Sequence, residues 1–285
     1  MTHKDATNED SIDEDSIDDE APTSGAPISG GDDDAPPTTS ADAGAVAPTA
    51  RSPERKPAAP AWLVFGGAIA ITAIVAATLQ FAFSARLAGT NGSFLLLGGM
   101  YFVLSTVGVL RLRARGELYR LRPRSGDVTF AALVAGVLYG LAFVFHSLIT
   151  SPGEPHHGWI LRVYLVTGDP FADTRHWVAA GVAILGGLEE MTWRGLVTPL
   201  LEERIGALRG GSLSTVLFAL AHVPTVFLLA DPTAGLNPLL PLAAFGCGAA
   251  WSYLRWRMDR LVPVLLSHAL FTWAVLEFPL FAMGR

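Results

Sequence analysis

The chain has 285 residues, of which 51% are hydrophobic, and its mean hydropathy is +0.39. This composition argues against one or two ordinary soluble domains and favours a polytopic membrane protein. The single cysteine, Cys247, excludes a disulfide framework and a CxxC metal site, and its apolar surroundings favour a small core residue.

The first 60 residues differ in charge from the rest of the chain. Residues 1–50 hold 13 of the 26 acidic side chains and one base, Lys4, whereas the remainder holds 19 bases and 13 acids. Because like charges repel and few apolar groups are available to form a core, we predict a disordered acidic tail and linker over 1–60. The transmembrane domain is predicted over 61–285. No cleavable signal peptide is indicated, since a basic start and an apolar middle are missing.

Seven apolar stretches follow, and each is close to the roughly 17 to 25 residues that a helix needs to cross a bilayer. They are 61–85, 93–110, 128–149, 177–201, 213–230, 236–254 and 261–283. We therefore predict an all-α fold, a polytopic bundle of about seven transmembrane helices. The apolar piece at 158–166 is too short to span and carries Arg162, so we expect an interfacial or re-entrant segment there.

The arginines and lysines indicate the orientation of this bundle. With seven spans, 14 of these bases fall on one side and four on the other, the four being Arg86, Arg162, Arg175 and Arg285. The positive-inside rule then places the N-terminus in the cytoplasm and the C-terminus outside. We expect a multi-pass protein of the cell (inner) membrane.

Five polar side chains lie deep in the predicted spans: Glu189, Glu190, Arg194, His222 and His268. A charge at mid-membrane costs roughly 2.5 to 3.5 kcal/mol, so such residues usually face the bundle interior and serve a function. Glu190 and Arg194 are four residues apart and can pair on one helix face. Glu189 points about 100° away from Glu190 and has no partner in its own helix.

Glu189, His222 and His268 are predicted to fall at similar depths on three different helices. A Glu and a His that face one water molecule can take its proton, and a second His can stabilise an oxyanion. Thr272, one turn beyond His268, is the neighbouring donor. A metal site, a proton or ion pathway and a purely structural role also fit these positions.

Three motifs run in order along these helices. They are "EEMTWR" at 189–194, "FALAH" at 218–222 and "HALFT" at 268–272. This set resembles the EExxxR, FxxxH and HxxxN (or Asp) motifs of the CPBP family, the CAAX protease and bacteriocin-processing (Abi) proteins. The resemblance covers about 177–275, the predicted catalytic core. The third motif departs from the family at its last position, Thr272.

The resemblance implies a glutamate-type intramembrane endopeptidase that has no cofactor and no obligatory metal. Glu189 and His222 would activate water, His268 would be the oxyanion donor and Thr272 a substitute auxiliary donor. Glu190, Arg194 and Phe218 would orient these groups. The implied partners are the lipid bilayer and a membrane-associated protein or peptide substrate, with no nucleic acid.

The implied process is C-terminal sorting or peptide maturation, and the Ala-, Arg- and Gly-rich composition suits a high-GC bacterium. Three alternatives stay open at this stage. They are a non-catalytic scaffold or immunity protein of the same fold, a metal-dependent form of the protease and an ion-coupled transporter. The transporter is the least favoured, because no inverted repeat with broken helices is evident in the sequence.

Overall fold

In a computed structural model of the chain, the described residues are 60–167 and 171–282. Across these ranges the chain forms helices joined by turns and loops, without a β-strand, which confirms the all-α prediction. The predicted disordered tail, apart from residue 60, lies outside the described residues.

Ten α-helices occur in the described ranges, and each of the seven apolar stretches overlaps at least one of them. They are α1 (Ala61–Ala82), α2 (Asn91–Arg115), α3 (Asp127–Phe145), α4 (His157–Leu165), α5 (Arg175–Thr192), α6 (Thr198–Ile205), α7 (Ala207–Ala221), α8 (Pro224–Leu228), α9 (Leu239–Met258) and α10 (Val262–Glu277). The short segment predicted around Arg162 is α4, a helix of nine residues.

Within 60–167 and 171–282, four helical segments are long and apolar enough to cross a membrane: Ala61–Ala82, Asn91–Arg115, Asp127–Thr150 and Ala207–Leu228. The outward side chains on these segments are strongly apolar, for example Leu95 (76% exposed) and Phe102 (64% exposed). Such a surface fits lipid better than water. The chain is therefore a multi-pass membrane protein, and the count of seven spans stays a prediction.

Prolines make two of the helices shorter than the apolar stretches suggest. Pro224 has no N–H to donate to the carbonyl of Leu220, so α7 ends at Ala221 and a separate short helix, α8, begins at Pro224. Phe278 precedes Pro279 and has ψ 78°, outside the helical region, so α10 ends at Glu277. The stretches 213–230 and 261–283 are thus not single continuous helices.

The helix that carries the first motif contains a π turn, Trp193–Val197, between α5 and α6. Pro199, two residues after this turn, has no N–H for the carbonyl of Gly195, so the regular hydrogen-bond ladder is interrupted here. Ten consecutive residues, 190–199, are buried through this turn. Single π turns inside helices are frequent at functional sites.

Ion pairs join the helix ends on one side of the bundle, which we call the arginine side. It comprises the C-terminal ends of α2, α6 and α9 and the N-terminal ends of α3 and α10. There Arg255 bonds Glu202 at 2.5 Å and joins α9 to α6. Arg260, between α9 and α10, pairs with Asp127 at the start of α3.

The opposite helix ends meet around α4, and we call this the α4 side. Tyr164 of α4 donates to the carbonyl of Val275 near the end of α10 at 2.8 Å. Arg162 lies 3.4 Å from Asp231 in the loop before α9. The backbone N–H groups of Ala234 and Thr233 donate to Asp231 and hold its pKa below the usual range.

The site lies where five helices pack together. α10 packs against α5 and α9, α5 against α2, and α7 against α9. The largest buried aromatic side chains are Trp193, Phe218 and Trp251, which are at most 2% exposed. These aromatic rings fill the interior and fix the relative positions of the polar groups.

Candidate functional site

Glu189 lies at the centre of a polar cluster in the bundle interior. Its carboxylate accepts a hydrogen bond from the hydroxyl of Tyr101 on α2. The Nε2 atom of His222 lies 3.8 Å from one carboxylate oxygen, and Nε2 of His268 lies 3.7 Å from the other. The Glu189 side chain is 14% exposed, so it borders an open space. The structure thus brings together the three residues that the sequence predicted to meet.

The end of α7 fixes the ring of His222. Because the last turn tightens, the backbone N–H of His222 bonds the carbonyl of Ala219, which leaves the carbonyl of Phe218 to the side chain. The ring Nδ1 lies 2.9 Å from that carbonyl oxygen. A carbonyl only accepts, so Nδ1 carries a proton and Nε2 of the neutral ring presents a lone pair toward Glu189.

His268 is held from two directions. Its Nδ1 lies 2.9 Å from the Glu190 carboxylate, and its ring stacks on Trp251 with centroids 3.8 Å apart. An ionised carboxylate only accepts, so Nδ1–H donates to it, and Nε2 carries a proton only when the ring is an imidazolium. The π face of Trp251 is favourable for such a cation.

Glu190 and Arg194 form a fully buried ion pair of 2.9 Å, as the i,i+4 spacing predicts. Arg194 also donates to the carbonyl of Gly248 at 2.7 Å and lies over the ring of Phe218 at 4.9 Å. A Cβ at position 248 would lie 2.9 Å from that ring, so only glycine allows this approach. The pair joins α5 to α9, and Arg194 and His268 both bond the same oxygen of Glu190, Oε1.

Thr272 lies beside His268 on the wall of a cavity. Its Oγ1 would lie 3.3 Å from a Cβ added at Gly186, so this glycine lets α10 pack closely on α5. The cavity has a volume of about 260 Å³, and Glu189, His222 and His268 border it. The rest of its wall is mainly apolar, with side chains such as Leu97 and Leu185. His268 and Thr272, the first and last residues of the third motif, therefore line the same cavity.

Sequence reasoning missed Tyr101, Trp251 and Gly248 as parts of the site. Each acts through a contact with another helix, and no local pattern marks such a contact. Cys247, expected to be a core residue, is partly buried, packs against the hydrophobic core and also borders the cavity. Gly248 could have been found from the sequence, because a small residue in a membrane helix is typical of close helix packing.

The arrangement can bind and deprotonate water, because it sets a carboxylate beside an imidazole lone pair in a partly enclosed, mostly apolar cavity. Across the described ranges, no group of three or more His, Cys, Asp and Glu side chains has an arrangement that could hold a metal ion. The opposed charges of Glu190 and Arg194 are balanced within the pair, so the pair itself needs no further counter-ion.

Comparison with known proteins identifies one family. Residues 171–274 match the family model described as type II CAAX prenyl endopeptidase Rce1-like. This match confirms the resemblance that the three motifs indicated, and it contains α5 to α9 and most of α10. No curated protein and no solved structure matches the chain. The matched family supports endopeptidase activity in the membrane in general terms.

Proposed function

Because its residues 171–274 match the model of the Rce1-like CAAX endopeptidase family, we propose that the chain is an intramembrane endopeptidase in which Glu189 and His222 activate water. The observation that carries this proposal is the position of Glu189 between the Nε2 atoms of His222 and His268, at 3.8 and 3.7 Å. The 3.8 Å between Nε2 of His222 and the Glu189 carboxylate oxygen allows one water oxygen to lie about 2.8 Å from both atoms.

The proposed reaction begins when Glu189 takes a proton from this water while the lone pair of His222 holds its second hydrogen. The hydroxide attacks the scissile carbonyl carbon, and the carbonyl oxygen becomes an oxyanion. Glu189 then returns its proton to the leaving nitrogen, and the C–N bond breaks. The products are a new carboxylic acid and a new amine, which become carboxylate and ammonium when the acid passes its proton to the amine, and Glu189 is again ionised.

The oxyanion needs donors, and His268 and Thr272 are the candidates. We assign His268 as an imidazolium whose Nδ1–H donates to Glu190 and whose Nε2–H donates to the oxyanion. Thr272 offers a hydroxyl on the same cavity wall, in place of the family's amide. Arg194 balances the charge of Glu190, and Phe218 supports Arg194 and His222 by ring contacts.

The proposal also includes a location and a domain division. The arginine distribution supports an inner-membrane protein with its N-terminus in the cytoplasm and its C-terminus outside. We assign catalysis to about 177–275 within the transmembrane domain 61–285, and a spacer role to residues 1–60. A membrane-associated protein or peptide is the proposed substrate.

The test compares the termini of membrane proteins in cells that carry the wild type or Glu189→Gln. Glutamine keeps the size of the side chain but cannot take a proton at neutral pH, so we expect the affected cut sites to disappear. Glu154→Gln, a change of an exposed carboxylate on the α4 side, is the matched control and should leave the cuts in place. If folded Glu189→Gln protein leaves every terminus unchanged, the chain is a non-catalytic scaffold.

Chelation separates this mechanism from the metal-dependent alternative. Purified protein treated exhaustively with a chelator is expected to keep its cleavage rate, because the proposed steps use only side chains and water. Loss of the rate, with recovery when a divalent metal is added back, would establish the metal-dependent form instead.

A further inference from the structure

The cavity at Glu189 extends toward the α4 side. On α5, the lining residue Val182 precedes Glu189 and so lies nearer the α4 side. On α10, the lining residue Leu276 follows His268 and lies nearer the same side. Val166, at the C-terminal end of α4 itself, also borders the space. Three separate elements therefore give the same direction.

The arginine side of the site is closed by packed side chains. Residues 190–199 are buried without interruption along the helix from Glu189 toward this side. Leu112, Met191 and Leu261 form a buried apolar cluster beyond the Glu190–Arg194 pair. A polypeptide could reach Glu189 from this side only by displacing these contacts.

The two sides also differ in charge. Arginines in 111–124, 204–209 and 255–260 number 11 on the arginine side, against Arg86, Arg162 and Arg175 on the described part of the α4 side. The side with more arginines normally faces the cytoplasm. We propose that the catalytic cavity opens to the outer, non-cytoplasmic side and cleaves exported membrane-anchored proteins at that face. This inference rests on the proposed endopeptidase function.

The cavity also restricts the substrate segment. Glu189 lies 14 residues from the start of α5, which corresponds to about 21 Å along the helix axis. An extended chain advances about 3.3 Å per residue, so about six residues are needed to reach Glu189 from that boundary. The cavity wall between Glu189 and this boundary is mainly apolar, with side chains such as Leu79, Phe83 and Val163. The substrate is therefore an exported protein with about six extended, uncharged residues between its folded part and the cut.

Cysteine labelling tests the direction of the opening. The wild-type chain, whose sole cysteine is Cys247, gives the background with a membrane-impermeant maleimide. We expect Glu154→Cys and the cavity-wall variant Leu240→Cys to react in spheroplasts, and the exposed Arg113→Cys to react only in everted vesicles. Reaction of Arg113→Cys in spheroplasts, with Glu154→Cys reacting only in everted vesicles, would overturn the inference.

The position of the cuts provides a second test. Proteins that are cut in wild-type cells but stay uncut in cells with Glu189→Gln should be exported proteins, and the cut should lie on the outer side of their anchor. Shortening the segment between the folded outer domain and the cut from ten residues to two should abolish cleavage. The same deletion on the cytoplasmic side of the anchor is the matched control and should have no effect.

These outcomes separate the inference from the function on which it rests. If Glu189→Gln abolishes cuts that lie on the cytoplasmic side of the anchors, the chain is an endopeptidase and the proposed direction is wrong. If Glu189→Gln changes no terminus while the labelling pattern is as expected, the cavity opens outward but the endopeptidase function fails.

Discussion

At the scale of single residues, Glu189 accepts a hydrogen bond from Tyr101, a residue that belongs to none of the three motifs. Tyr101 lies on α2, outside the matched region 171–274, and is 4% exposed. Its hydroxyl donates to the carboxylate that the proposed mechanism uses as a base. Since Tyr101 reaches the reaction through Glu189, we regard it as a positioning residue. The same helix carries Ser105, which donates to the carbonyl of Leu188 at 2.7 Å and ties α2 to α5.

Tyr101→Phe removes one hydroxyl and leaves the ring that packs in the core. A hydrogen bond to a charged group contributes roughly 1.5 to 3 kcal/mol, so we expect kcat to fall about 10- to 100-fold on a peptide containing an identified cut site. KM should stay unchanged, because the ring and the cavity wall are intact. Tyr119→Phe, a change of an exposed tyrosine on the arginine side, should leave both constants unchanged. A rise in KM with unchanged kcat would instead indicate a role in substrate binding.

At the scale of the elements, the break between α7 and α8 orients the second-motif histidine. Pro224 ends the helix, the carbonyl of Phe218 becomes free and the ring of His222 takes it at 2.9 Å. The motif FxxxH therefore works as a helix terminus, with its first residue giving the carbonyl and its last residue the ring. A continuous helix would return that carbonyl to the backbone N–H of His222.

Pro224→Ala allows α7 to continue through His222. The variant therefore tests whether the end of α7 orients the ring of His222. Alanine supplies the missing N–H and has a much higher helix propensity than proline, so the protein should keep or increase its thermal stability. Cleavage should fall at least tenfold, because the ring loses its fixed orientation. Stability is measured by thermal unfolding in detergent and cleavage on the same preparation. Parallel losses of both quantities would show that Pro224 serves the fold rather than the histidine.

The helices and their ends could be predicted from the sequence where they depend on local geometry. The apolar runs predicted the helices, and the i,i+4 spacing predicted the Glu190–Arg194 pair, because both depend on local geometry. Proline chemistry was present in the sequence at Pro224 and Pro279, and it explains the two helices that end early. The contacts of Tyr101 and Trp251 could not be predicted, since they depend on which helix faces come together after packing. The π turn Trp193–Val197 likewise has no simple pattern of its own.

At the scale of the whole molecule, the bundle is joined differently at its two ends. On the arginine side, charged pairs tie α2, α6, α9 and α3 together; for example, Arg115 lies 2.8 Å from Glu203. On the α4 side, a short helix and loops connect the helix ends, and the cavity extends toward this side. The packing therefore closes the cavity at Glu189 on the arginine side and leaves it open on the α4 side.

The buried pair Arg260–Asp127 should carry a large part of this joining, because it connects the start of α10 to the start of α3. Asp127 is 1% exposed, and Arg260→Ala would leave its carboxylate buried without its guanidinium partner. Breaking such a pair costs about 3 to 5 kcal/mol, which corresponds to a fall in Tm of about 10 °C for a domain of this size. Arg113→Ala, a change of an exposed arginine on the same side, should lower Tm by no more than about 2 °C, because a surface substitution usually changes stability by no more than about 0.5 kcal/mol. Equal shifts in the two variants, measured by thermal unfolding in detergent, would show that the arginine side is not joined through this pair.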